Sequence, residues 1–179
     1  TYDKRYEKYR FELADGTIVG FTDPTSPFRR IQGTSADEDL SPIVPFGSEL
    51  RGYGGNDRIY GTAEADQLYG DEGNDTLKGA GGNDLLYGGV GNDELYGGAG
   101  DDTYVFEENH GQDYVEDSEG LSTIKLLTGI SLSDYSSRRQ DSWAASLFNS
   151  KTADTIYFSG LTYDKRYEKY RFELADGTI

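Results

Sequence analysis

Residues 52–105 read GYGGNDRIY, GTAEADQLY, GDEGNDTLK, GAGGNDLLY, GGVGNDELY and GGAGDDTYV, six consecutive nonapeptides. Position 1 is Gly throughout (Gly52, Gly61, Gly70, Gly79, Gly88, Gly97), and position 6 is Asp throughout (Asp57, Asp66, Asp75, Asp84, Asp93, Asp102). Position 8 is apolar or aromatic: Ile59, Leu68, Leu77, Leu86, Leu95 and Tyr104. A short fixed period of this kind marks a solenoid, each repeat adding one small unit to a continuous core. Alternation over positions 7–9 predicts a short strand with position 8 inward and its neighbours outward. The glycines at positions 1, 2 and 4 predict turns with φ > 0, where a side chain would clash. Such turns crowd carbonyl oxygens together, and the Asp adds a carboxylate. An oxygen-only donor set with no nitrogen or sulfur suits Ca²⁺.

The pattern resembles the GGxGxDxUx repeat of RTX proteins, the haemolysin-type calcium-binding family. The resemblance implies an all-β fold, a parallel β-roll flanked by capping strands, in which two nonapeptides complete one turn. It implies that ions lie between position-6 residues 18 apart: Asp57/Asp75, Asp66/Asp84, Asp75/Asp93 and Asp84/Asp102. The position-4 glycines Gly55, Gly73, Gly82, Gly91 and Gly100 join them as candidate metal-site residues, with Asp113 as a terminal ligand. Four interior ions and one or two at the ends give about four to six Ca²⁺. The second repeat departs from the pattern, with Thr62 and Glu64 where glycines are usual, so its site is distorted or gains Glu64 as a ligand. Tyr104 at the last position 8 marks the expected end of the roll. One apolar side chain per nine ordered residues is too little to offset chain entropy, and stacked carboxylates repel. Folding is therefore expected to depend on Ca²⁺.

Outward, Leu50 continues the position-8 column, with Ser48 where Asp would stand. Gly33–Leu40 reads as a decayed repeat, with Asp39 18 residues before Asp57 and expected to be an ordinary solvated acid or an end ligand. Pro24, Pro27, Pro42 and Pro45 predict irregular chain with strands only at sheet edges. Downstream, Gly111–Asp117 resembles the cap of the family's rolls. Residues 121–161 predict strands and a short helix near Ser142–Phe148, with Trp143 packing the cap. Asp176-Gly177 predicts a type I′ hairpin turn. Residues 1–18, TYDKRYEKYRFELADGTI, recur unchanged as residues 162–179, an offset of 161. This reads as one period of a tandem array. The expected division is 1–21 as the tail of a preceding module, 22–51 as an N-terminal cap, 52–105 as the roll and 106–179 as a C-terminal cap, the last resembling the haemolysin-related segment that often follows RTX repeats.

Composition narrows the function classes. The net charge of −16 disfavours nucleic acid and anionic lipid as partners. No apolar run is long enough to span a bilayer, and the opening residues do not resemble a signal peptide. Absence of Cys excludes disulfides and thiolate chemistry, and the single histidine, His110, reads as a surface residue. Neither G-x-S-x-G nor H-E-x-x-H occurs, so no enzyme activity is expected. Asp71, Glu72 and Asp101 read as solvated charge. Position-9 tyrosines form outward rows, Tyr60 with Tyr96 and Tyr69 with Tyr87, and surface glycan is the alternative ligand they offer. The resemblance implies a calcium-binding module of a secreted or cell-surface adhesin or toxin, exported by a type I secretion apparatus. Its partners would then be Ca²⁺ and neighbouring tandem modules.

Overall fold

The computed structural model describes residues 10–12, 18–20, 29–42, 47–127, 129–139, 144–159 and 170–175. In chain order the strands begin β1 (Arg10–Glu12), β2 (Ile18–Gly20), β3 (Arg29–Gln32), β4 (Asp39–Leu40), β5 (Ser48–Gly54) and β6 (Arg58–Tyr60). The central strands are β7 (Gln67–Glu72), β8 (Thr76–Gly81), β9 (Leu85–Val90), β10 (Glu94–Ala99) and β11 (Thr103–Phe106). The chain continues through β12 (Gln112–Glu116), β13 (Ser122–Leu126), β14 (Tyr135–Arg139), β15 (Ala145–Asn149), β16 (Thr155–Ser159) and β17 (Tyr170–Leu174).

These strands form two sheets, β1-β2-β3-β5-β7-β9-β11-β13-β17 and β14-β15-β16-β12-β10-β8-β6-β4. The chain alternates between them, so successive repeats face each other and every second repeat pairs in parallel, as Leu68 with Leu86 and Leu77 with Leu95. This is a parallel β-roll. Among the described residues, antiparallel strands appear only at the ends, at β1-β2-β3 and β14-β15-β16. The expected position-8 column is the core: Ile59, Leu68, Leu77, Leu86, Leu95 and Tyr104 are fully buried. Leu50, Leu40 and Ile31 extend it upstream, and Val115, Ile124, Ile156 and Phe158 downstream.

Several expectations are corrected. The roll does not stop at Tyr104: β11 pairs with β13, and β10 with β12, so Gly111–Asp117 builds a further turn rather than a separate cap. The spacing there widens from 18 to 20 residues, as the bonds Asp75 to Asp93 and Asp93 to Asp113 record. β3 lies inside its sheet, between β2 and β5, not at an edge. Residues 145–148 belong to strand β15, not a helix, because they pair along β14 and β16. Trp143 and the Asp176-Gly177 turn lie outside the described residues.

Candidate metal centre

Each position-6 Asp closes a turn immediately before a strand, and its side chain folds into the roll. Asp57, Asp66, Asp75, Asp84, Asp93 and Asp102 are all 1–2% exposed. One carboxylate oxygen is committed to the scaffold. Oδ1 of Asp75 accepts the Asp57 N–H at 2.7 Å, Asp84 that of Asp66 at 2.8 Å, Asp93 that of Asp75 at 2.8 Å, and Asp102 that of Asp84 at 2.9 Å. The other oxygen is not. Among the described residues, Oδ2 of Asp57, Asp75, Asp84, Asp93 and Asp102 is buried with no hydrogen-bond donor. An unpaired buried carboxylate oxygen is costly, and a cation is the partner that removes the cost.

The space around these oxygens is built from glycine. A Cβ on Gly70 would fall 2.2 Å from Asp75 Oδ2 and 2.5 Å from the Gly88 carbonyl. On Gly79 it would fall 2.1 Å from Asp84 Oδ2 and 2.6 Å from the Gly97 carbonyl. The position-1 glycines do not have positive φ, contrary to expectation: they are there because carboxylate and carbonyl oxygens occupy the place of a side chain. Position 4 meets the expectation. Gly73 has φ +132°, and a Cβ there would lie 1.7 Å from the Gly55 carbonyl. Position 2 tolerates side chains despite positive φ, at Tyr53 (77°), Asp71 (75°) and Ala80 (80°).

Burial raises the carboxyls: Asp57 and Asp75 to about 6, Asp84 and Asp102 to about 7 and Asp93 to about 8. Neighbouring carboxylates add to the shift, such as Asp113 and Asp75 around Asp93. Among the described residues no three acidic or imidazole side chains converge on one point. The donor set is therefore one free carboxylate oxygen per turn, surrounded by backbone carbonyls. Such oxygen-only donors fit Ca²⁺.

Two turns differ. In Gly61–Asp66, Asp66 Oδ2 accepts the Thr62 N–H at 2.6 Å and the Thr62 hydroxyl at 3.0 Å. The Thr62 hydroxyl also accepts the Glu64 N–H at 3.1 Å, and neither residue has positive φ. Glu64 is exposed. Gly33–Glu38 repeats the arrangement. The Thr34 N–H and hydroxyl donate to the Glu38 carboxylate, and the Thr34 hydroxyl accepts the Ala36 N–H at 3.3 Å. A Cβ on Gly33 would fall 2.2 Å from Glu38 Oε2. Glu38, not Asp39, thus occupies the position-6 slot, and its N–H donates to Asp57 Oδ1. Asp39 is exposed beside Arg58, because a one-residue shift pairs it with that residue.

At the downstream end of one edge, Asp113 Oδ1 accepts the Asp93 N–H, while Oδ2 lies 2.5 Å from His110 Nδ1. His110 is 1% exposed and its Nε2 contacts the Tyr135 hydroxyl at 3.1 Å. The surface reading of His110 is therefore overturned: the ring supplies the polar contact at the end of the carboxylate column. Asp154 beyond it accepts the N–H groups of Asn109 and Gly111. On the other edge Ser122 takes the position-6 place and its hydroxyl accepts the Asp102 N–H.

Sequence reasoning missed position 5. Asn56 Oδ1 accepts the Asn74 N–H, Asn74 Oδ1 the Asn92 N–H and Asn83 Oδ1 the Asp101 N–H. The recurring Asn-Asp pair in the repeats was the available signal. Asp71 is likewise not free charge, since it holds Arg51 through two bonds of 2.6 and 2.9 Å. The tyrosine rows lie on the expected sheets. Lys78 sits between Tyr60 and Tyr96, 5.8 and 5.3 Å from the ring centres, and Tyr69 meets Tyr87 at 6.1 Å with a 56° tilt.

A parallel roll whose edges carry columns of half-satisfied carboxylates among carbonyls is a cation-binding solenoid. Residues 51–86 and 69–104 match the family model of the RTX calcium-binding nonapeptide repeat, so the segment 51–104 carries RTX repeats. No curated protein matches the chain.

Proposed function

We propose that the chain is a structural, non-catalytic module that folds when it meets extracellular Ca²⁺ and then serves as a stiff spacer. The observation that carries this reading is the set of five buried Oδ2 atoms without donors, at Asp57, Asp75, Asp84, Asp93 and Asp102. These residues would hold the ions, with carbonyls of the adjoining glycine turns completing the donor set, and the bound ions would supply the positive charge the columns lack. Asp66 and Asp113 would contribute mainly through the scaffold, since their second oxygens already have partners. Secretion through a type I apparatus and membership of an adhesin or toxin belong to this reading through the RTX repeats.

Circular dichroism in EDTA, followed by millimolar CaCl₂, tests it. Strand signal should be largely lost in EDTA and restored by Ca²⁺, while Mg²⁺ substitutes poorly because it demands tight octahedral geometry. A fully folded spectrum in EDTA would refute the coupling.

A further inference from the structure

The 18-residue segment that occurs twice contributes a strand to each end of the same sheet. Arg10–Glu12 forms β1, the first strand, and its copy Arg171–Glu173 lies within β17, the last. The two copies use different partners. β17 runs parallel to β13, with Phe172 opposite Ile124. β1 runs antiparallel to β2, with Phe11 opposite Val19.

Backbone polarity makes the two pairings compatible. Within a strand, the N–H and C=O groups of alternate residues point to opposite edges. Thr123 and Leu127 donate toward β11, to Asp102 and Phe106, so Ile124 faces β17. In parallel pairing Ile124 bonds the residues flanking its partner, which are Arg171 and Glu173. The main-chain groups of Phe172 therefore point to the side of β17 that has no partner strand among the described residues. At the other end, Gly33 donates to Arg51 in β5, so Gln32 faces β2, and its partner Ile18 faces β3. Val19 then faces β1, and Phe11 opposite it directs its main-chain groups toward β2. Among the described residues, the groups used by one copy are the groups left open in the other.

The Cα register agrees. Phe11, Val19, Ile31, Leu50, Leu68, Leu86, Tyr104, Ile124 and Phe172 stand opposite one another in one unbroken row across the sheet. The same phenylalanine closes it at both ends.

We infer that this segment is a two-sided strand that joins one period to the next. Where the 161-residue period recurs, a single copy pairs with β13 of the roll before it and β2 of the roll after it. The sheet then runs from roll to roll without an edge, and the partner of this surface is a second copy of the same module. An uncovered sheet edge is a liability for aggregation, and this pairing removes it. The inference rests on the modular part of the proposed function.

The test compares amide hydrogen exchange by NMR, in Ca²⁺, of this chain and of a chain carrying the period twice. The Phe172 amide should exchange about tenfold or more slowly at the junction of the longer chain than in the shorter one. The Glu173 amide should be protected in both, and Leu77 and Leu86 report the rolls themselves. Equal Phe172 exchange in both chains, with Leu77 and Leu86 protected, overturns the joint alone. Fast exchange at Leu77 and Leu86 overturns the roll, and the joint with it.

Discussion

Two turns of the same roll, Gly61–Asp66 and Gly79–Asp84, place a carboxylate in the same slot and treat it differently. Asp84 keeps a bare Oδ2, whereas Asp66 has both oxygens satisfied by the chain, through Ser48, Thr62 and the Thr62 hydroxyl. The deciding residue is at position 2. Ala80 takes positive φ and leaves the slot open, while Thr62 keeps ordinary φ and turns its N–H and hydroxyl inward. Thr34 does the same for Glu38 upstream. The roll thus contains turns that wait for a cation beside turns that supply their own donors.

The largest effect that would test this contrast is at Asp75. Asp75→Ala removes a bare oxygen and the acceptor for the Asp57 N–H, so the Ca²⁺ midpoint should rise severalfold and one bound ion should vanish in calorimetric titration. Asp66→Ala should cost roughly 1–3 kcal/mol of stability through lost hydrogen bonds, with the ion count unchanged. Loss of an ion in Asp66→Ala would erase the distinction.

The converse exchange sharpens it. Thr62→Gly with Glu64→Gly restores the glycine turn and strips Asp66 of its internal donors. The double variant should bind one ion more than the parent by the same titration. At the column's end, His110→Ala leaves Asp113 Oδ2 without its partner. That should cost about 1–3 kcal/mol in thermal melts.

Acidity offers a milder test. In the metal-free fold burial raises Asp57 and Asp75 to about 6 and Asp93 to about 8, from an ordinary 3.8. Folded carboxyls raised in this way hold protons that the unfolded chain releases. Their contribution to stability is complete below about pH 4 and is lost as pH rises through about 6 to 8. Circular dichroism in EDTA should therefore report more structure at pH 5 than at pH 8, and identical spectra would contradict it. With Ca²⁺ present the trend reverses, because protons compete for the same oxygens.

The smallest effect lies outside the columns. Lys78→Ala removes a cation between two rings, costing about 0.5–1 kcal/mol in thermal melts and leaving Ca²⁺ binding unchanged.

Periodicity made much of this legible. The position-8 column follows from spacing, because alternation within each strand turns that side chain inward, and the stacking of Asp residues 18 apart follows from the resemblance to RTX repeats. What escaped was set by single-residue shifts and pairwise chemistry. Glu38 rather than Asp39 fills the slot because the upstream turn is one residue longer, and no periodic rule registers that. His110 looked solvated because its polar neighbours in sequence hide a partner three residues on and another, Tyr135, far along the chain. Tyr104 fitted the end of the repeat pattern, yet its side chain is buried and β11 pairs onward with β13. The widened cycle of 20 residues conceals that continuation from a nine-residue template.

The 18-residue cycle also fixes a relation between thread and rod. Stacked strands advance about 4.8 Å per turn, whereas 18 residues drawn out reach about 60 Å. Each turn that closes therefore shortens the chain roughly twelvefold, and each turn that opens pays most of that length back. Pulled at its ends, such a molecule should lengthen in steps of one turn, with Ca²⁺ concentration setting the tension at which the steps begin.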